Sequence, residues 1–277
     1  PFTTTTRVFS CSPLVNFTTS LLIVLGGLGF IVWWDILRVM KQFKNKKFNC
    51  FKSLTLHSKI VISSTLVLIF GGALLIFLFE YSNPNTIGVY NIFDKIQISI
   101  FQSITTRTAG FATIPQENLT NQSVIICLIL MFIGGSPVGT AGGIKTITVV
   151  SLLAIAIASI RNKKEVVLFN RNLSSEITRK AVAVTAMSFM IVMISTILLS
   201  LTIDRSIVDI LYETVSATAT VGLSRNLTPF LNSIGKIIVI ITMYLGRVGP
   251  ISLAIAFKSK KESSNIILNP TEEVSIG

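Results

Sequence analysis

The chain has 277 residues, 51% of them hydrophobic and 13% charged, with a mean hydropathy of +0.73. That balance excludes an ordinary soluble domain and fits an all-α protein that crosses a membrane several times. The net charge of +12 would suit nucleic acid, but the basic residues are confined to short segments between apolar runs, as in cytoplasmic loops, so no nucleic-acid partner is expected.

Residues Pro1 to Ser12 are polar and Thr-rich, and Leu14 to Trp34 then supplies about 20 mostly apolar residues, enough for one crossing. It ends at Trp33-Trp34-Asp35, aromatic side chains suited to an interface. Arg38, Lys41, Lys44, Lys46, Lys47, Lys52 and Lys59 follow with no acid among them, which predicts a cytoplasmic loop. Ile60 to Phe79 crosses outward, and Glu80-Tyr81-Ser82-Asn83-Pro84-Asn85 carries the turn chemistry of an external loop. Ile92 to Thr106 includes Gln97, Ser99, Gln102, Ser103, Thr105 and Thr106. It is too short and too polar to span and is expected to be a half-helix descending into the membrane. It delivers the chain to Arg107-Thr108-Ala109-Gly110-Phe111, after which Ala112 to Asn121 returns outward.

The next span runs from Val124 to Ile133, meets Gly134-Gly135-Ser136-Pro137-Val138-Gly139-Thr140-Ala141-Gly142-Gly143-Ile144-Lys145, and resumes from Thr146 to Ile160. So many glycines with a proline cannot hold a regular helix, and at membrane depth the freed backbone groups must face protein or water. A mobile obstruction beneath a pore and a static packing kink are both open readings. Arg161, Lys163, Lys164, Arg171, Arg179 and Lys180 make a second cytoplasmic loop. Val182 to Leu201 goes outward, Asp204 and Arg205 mark a turn, and Ile207 to Ala219 is a second half-helix leading to Thr220-Val221-Gly222-Leu223. Ile234 to Phe257, with Arg247 inside it, is the last span before a short tail carrying Lys258, Lys260 and Lys261.

Each Gly turn lies between apolar segments, where glycine lets the backbone leave helical geometry and expose carbonyls to a cavity. Re-entrant turns without an ion role are the plainer alternative. Gly110 and Gly222 lie 112 residues apart, Gly134 and Gly246 share that offset, and Gly26-Gly27-Leu28-Gly29 echoes Gly246-Arg247-Val248-Gly249. The repeats divide the chain into residues 1–59 (the last span of one unit and its loop), 60–180 (a complete unit) and 181–277 (another with the tail). The start at Pro1, without a Met, is expected to fall just after the equivalent turn of an earlier unit, making this a carboxy-terminal fragment. Two turns cannot surround a dehydrated cation, because rings of about four segments are the known solution. The missing walls are expected from an amino-terminal half or from another copy of the chain.

Arg247 must face protein or water inside the membrane, either tying two helices together or holding a gate. Lys145 is similar, or snorkels to the cytoplasmic interface. Cys11, Cys50, Cys127 and His57 show neither metal-ligand nor disulfide spacing, and neither a transition metal nor an enzyme activity is expected. A broken-helix secondary transporter would bind solute through intramembrane acids, for which Glu213 in a half-helix is the candidate.

At these residues the chain resembles the TrkH/KtrB/HKT superfamily of potassium, in some members sodium, transporters. Thr106 to Phe111 is similar to the third filter, Thr220 to Leu223 to the fourth, and Gly134 to Lys145 to the intramembrane gating loop. The short tail ending Glu272-Glu273-Val274-Ser275-Ile276-Gly277 resembles the bacterial KtrB branch. The resemblance implies a multi-pass cell-membrane protein conducting K+, or Na+, with no other cofactor. Carbonyls of Thr108, Ala109, Gly110, Phe111, Thr220, Val221, Gly222 and Leu223 would contact the ion. Gly134, Gly135, Ser136, Pro137, Gly139, Thr140, Ala141, Gly142, Gly143 and Lys145 would form the gate that Arg247 holds. It also implies a homodimer with one pore per subunit in the lipid bilayer, and a cytosolic nucleotide-binding regulatory ring of the KtrA/TrkA type.

Overall fold

The computed structural model describes residues 12–43, 50–163 and 165–249. The amino-terminal residues expected to follow an earlier turn, the end of the last span beyond Gly249 and the tail lie outside these. Pro13–Gly27 forms α1, with Pro13 in the first turn, where its missing N–H costs nothing. Phe30–Phe43 forms α2, bent by 94° from α1. The hydropathy pattern predicts one uninterrupted crossing from Leu14 to Trp34; the structure breaks it at Gly29, whose φ of 81° no helix accommodates. The apolar run continues through the break, so hydropathy does not register it.

A short turn of helix, Cys50–Ser53 (α3), leads to α4, Leu56–Glu80, long enough at about 1.5 Å per residue to cross a bilayer. Thr55 caps α4 through the Ser58 amide, and Asp35 of α2 accepts from the Thr55 amide and hydroxyl, each at 2.8 Å. Ile92–Thr105 is α5 and Ile207–Thr218 is α9, the stretches expected to be half-helices. Between them lie α6 (Asn121–Phe132), α7 (Thr146–Ile160) and α8 (Ser175–Ser200); α10 is Ser233–Val248. Helix α8 begins seven residues before the apolar run at Val182, because Ser174 caps it and its basic first turns stay in solvent. Ahead of it the second basic loop folds a small hairpin, Val167–Leu168 against Arg171–Asn172, turned by left-handed Phe169 and Asn170.

Both half-helices are enclosed by the longer ones: α5 packs on α1 and α4, and α9 on α6, α8 and α10. Close approach comes from small residues, since a Cβ on Gly72 of α4 would lie 2.5 Å from Ser103 Oγ of α5. Ser103 in turn donates to the Ile69 carbonyl at 2.9 Å. Thr196 and Thr214 join α8 to α9, and Thr242 and Ser195 join α10 to α8, each at 2.8 Å. The buried residues of α5 and α9 include Ser99, Gln102, Thr105, Thr214, Ser216 and Thr218, while α4 exposes Leu66, Val67, Phe70, Leu74 and Leu78. Polar side chains inside and large apolar ones outside are the arrangement of a protein solvated by lipid.

Candidate functional site

The chain leaves α5 and α9 through two turns of matching backbone. Thr108 and Gly110 have φ of 73° and 80°, with Ala109 between them at negative φ; Thr220 and Gly222 have φ of 53° and 92° around Val221. Each half-helix holds its own turn by hydrogen bonds. The Thr105 carbonyl accepts from the amides of Ala109 at 3.1 Å and Gly110 at 3.4 Å, and Thr105 Oγ1 donates to the Phe111 carbonyl at 2.6 Å. Ser216 accepts at its carbonyl from the Val221 amide at 2.8 Å and at its hydroxyl from the Gly222 amide at 3.2 Å. Turn residues that would relax elsewhere are thereby kept in left-handed geometry.

The two turns meet backbone to backbone. A Cβ on Gly110 would overlap the Val221 carbonyl oxygen, and one on Gly222 would sit 3.8 Å from Gly110 Cα. Val221 and Leu223 bury their side chains in the core shared by both units, with Ala112, Ile114, Tyr212 and Val215, while Gly222 is exposed. Side chains thus anchor the second turn in the core. Both half-helices aim their C-terminal ends at this place, where the partial negative charge favours a cation. Among the described residues no three His, Cys, Asp or Glu side chains come together.

Gly134 to Lys145 lies directly beneath the second turn. Its ends are clipped by amide bonds from Gly134 to the Ile144 carbonyl (2.9 Å), Ile144 to that of Phe132 (3.1 Å) and Thr146 to that of Gly135 (3.1 Å). Its middle rests on the C-terminal end of α1, where the Ser136 amide donates to the Gly27 carbonyl at 3.0 Å. A Cβ on Gly29 would lie 2.6 Å from the Pro137 carbonyl, and one on Gly139 would lie 3.3 Å from that of Gly26. A Cβ on Gly142 would strike Thr220 Oγ1 and the Ala219 carbonyl, and one on Gly143 would come within 3.2 Å of Ala219 Cβ. The loop needs glycine because it is pressed between the broken α1 and the base of the second turn.

Among the described residues three cationic side chains bond carbonyls of this loop, one of them the loop's own Lys145. Arg247 Nη1 donates to the Thr140 carbonyl at 2.9 Å, Lys145 Nζ to that of Ala141 at 2.5 Å, and the buried Arg107 Nη2 to that of Gly134 at 3.4 Å. A cavity of about 420 Å³ separates the loop from Val184 and Ser188 of α8 and from the end of α10, with Lys145 and Arg247 on its wall. The structure therefore gathers every residue expected at the site into two contiguous groups, the paired turns and the loop with its arginine.

Other polar residues around the turns carry no such motif. Gln102, Gln116 and Tyr212 form a buried cluster behind them, and Arg225 pairs with Asp209 at 2.6 Å while donating to the Gln116 and Glu117 carbonyls at 3.0 and 3.3 Å. Glu80, fully buried, accepts from Asn83, Thr86 and Thr120 and fastens the external loop. Glu213 is buried on α9 and accepts from Thr228 at 2.5 Å. The available signal was their polarity within or beside short segments at membrane depth, where each must find a partner.

Residues 6–268 match the family model described as TrkH, cation transport protein. The chain is 40% identical over 254 residues to Ktr system potassium uptake protein B of Bacillus subtilis, covering 92% of this chain and 55% of that protein. To the protein of that name from Vibrio alginolyticus it is 35% identical, covering 97% and 57%. It is 34% identical to the potassium/sodium uptake protein NtpJ of Enterococcus hirae, covering 93% and 56%. The chain spans about half the length of these relatives. The crystal structure of the potassium transporter TrkH from Vibrio parahaemolyticus shares the fold, with a TM-score of 0.71 at 15% identity over 89% of this chain and 52% of that one.

Proposed function

The chain belongs to the TrkH family of cation transport proteins, and from that premise we propose that it supplies half of the pore wall of a membrane potassium uptake protein. In this reading the carbonyls of Thr108 to Phe111 and Thr220 to Leu223 replace part of the ion's hydration shell, and the remaining oxygens come from equivalent turns outside this chain. The observation that carries it is the contact of the two turns at Gly110 and the Val221 carbonyl, which brings both sets of backbone oxygen to one place. The likeness to proteins named for potassium uptake supports the choice of ion.

The Gly134 to Lys145 loop acts as the gate. It lies against the base of the second turn, held through Thr140 by Arg247 and seated on the end of α1. Opening requires the Arg247 bond to break and the loop to leave Thr220, and the neighbouring cavity offers it room. The positive cytoplasmic loops fit an acidic regulatory partner, which the word "system" in the relatives' names supports. One relative is named for both potassium and sodium, and a second reading, in which sodium also passes, stands beside the first.

Rubidium uptake into liposomes carrying the full-length protein tests the proposal. Uptake suppressed by excess potassium but not by sodium is expected. Equal suppression by sodium selects the second reading, and absence of uptake contradicts both.

A further inference from the structure

Behind the paired turns, and apart from every residue assigned to ion contact or gating, three buried polar side chains join the two units. Gln102 of α5 and Gln116 of the segment returning outward pair their carboxamides reciprocally: Gln102 Nε2 donates to Gln116 Oε1 at 2.7 Å, and Gln116 Nε2 to Gln102 Oε1 at 3.2 Å. Tyr212 of α9 donates its hydroxyl to the same Gln116 Oε1 at 2.9 Å. Gln116 Nε2 also donates to the Ile114 carbonyl at 3.0 Å, so each polar atom of this side chain is engaged twice. Exposures are 0% for Gln102, 2% for Gln116 and 0% for Tyr212.

The position of this cluster gives it a consequence. The Gln102–Gln116 pair closes the chain on either side of the first turn, and Gln102 precedes by three residues Thr105, whose oxygens hold Ala109, Gly110 and Phe111. Tyr212 ties that closed loop to the helix whose Ser216 holds the second turn. The apolar contacts around them, among them Ile98, Ile114, Val215 and Leu223, set no direction; the polar ones are Cys127 Sγ, 3.8 Å from Gln102 Nε2, and Arg225, which donates to the Gln116 main-chain carbonyl at 3.0 Å. A hydrogen bond between buried groups does, since sliding by a fraction of an ångström leaves donors and acceptors unsatisfied where no water can replace them.

We propose that Gln102, Gln116 and Tyr212 are positioning residues that fix the spacing of the two turns and thereby set discrimination between potassium and sodium. This rests on the reading of the turns as the ion path. The measurement is the potassium-to-sodium permeability ratio of the full-length protein, with the thermal unfolding midpoint recorded in parallel. Tyr212→Phe removes one hydroxyl and keeps the ring; Gln102→Asn shortens one arm of the amide pair. Both are expected to lower the ratio about two- to tenfold, the range one buried hydrogen bond commands. Ile76→Ala, an apolar truncation on α4 in the same core, is expected to lower the midpoint and leave the ratio unchanged. A Tyr212→Phe protein that fails to fold passes the decision to Gln102→Asn. A parent that discriminates while both variants keep its ratio overturns the inference, as does an equal fall in Ile76→Ala. A parent that does not discriminate overturns instead the reading of the turns.

Discussion

The Val221 carbonyl oxygen lies so close to Gly110 that the space where a Cβ would stand is already occupied. Gly110 is also left-handed, with φ of 80°, so a side chain there meets both a clash and an unfavourable backbone. Gly110→Ser is expected to reduce the preference for potassium over sodium by displacing the second turn. Gly222→Ser, where the nearest atom is 3.8 Å away, is strained through its φ of 92° alone and should shift the preference less. Reversal potentials in mixed potassium and sodium check the order; parent-like ratios in Gly110→Ser would contradict it.

Arg247 meets the loop through one hydrogen bond, to the Thr140 carbonyl. Arg247→Ala is expected to raise ion flux with little change in selectivity, because the turns stay intact. Deleting Gly139 to Gly142, which includes the segment against Thr220, should raise it further. Flux assays on normally inserted protein decide, and unchanged or lower flux in both counts against the gate.

The left-handed glycines ending α1 and α10 allow a graded comparison. Gly29 and Gly249 have nearly the same φ, 81° and 80°, but a Cβ on Gly29 would lie 2.6 Å from the Pro137 carbonyl, whereas one on Gly249 meets nothing within 4 Å among the described residues. Gly249→Ala should cost only the backbone penalty of about 1–2 kcal/mol. Gly29→Ala should cost more and also raise flux, because it pushes on the loop. Unfolding midpoints and flux in the two variants give the ranking.

Glu80 accepts at 2.8 Å from the Thr120 amide and hydroxyl, at 2.7 Å from Asn83 and at 2.5 Å from Thr86. Glu80→Ala leaves those donors without a buried acceptor and should destabilise the fold by about 3 kcal/mol. The permeability ratio should hold, since no bond of Glu80 reaches the turns. A thermal shift assay beside a reversal-potential measurement separates the two effects.

The half-helices and the broken span between α6 and α7 were legible in the sequence, because short polar-studded segments and dense glycine contradict a regular crossing in local composition alone. Gly29 echoes Gly249 in the sequence, yet the sharp bend there carries no local signal, since its neighbours are as apolar as any span. That Arg247 needs a compensating partner follows from a cation at that depth, but that the partner is the Thr140 carbonyl does not. The pairing of Gln116 with Gln102 and Tyr212 was not legible: it depends on the register of two segments 96 residues apart, which no local pattern encodes. The Thr105 and Ser216 contacts that hold the turns are local, four to six residues along the chain, but they depend on left-handed turn geometry that the residue types alone do not specify.

The most direct test is to locate the ion. Anomalous scattering from crystals of the full-length protein in rubidium should show a site within coordination distance of the main-chain oxygens of Thr108 to Phe111 and Thr220 to Leu223. Ordered rubidium held instead by side-chain carboxylates such as Glu213, with none between the turns, would contradict a pore that selects by its backbone.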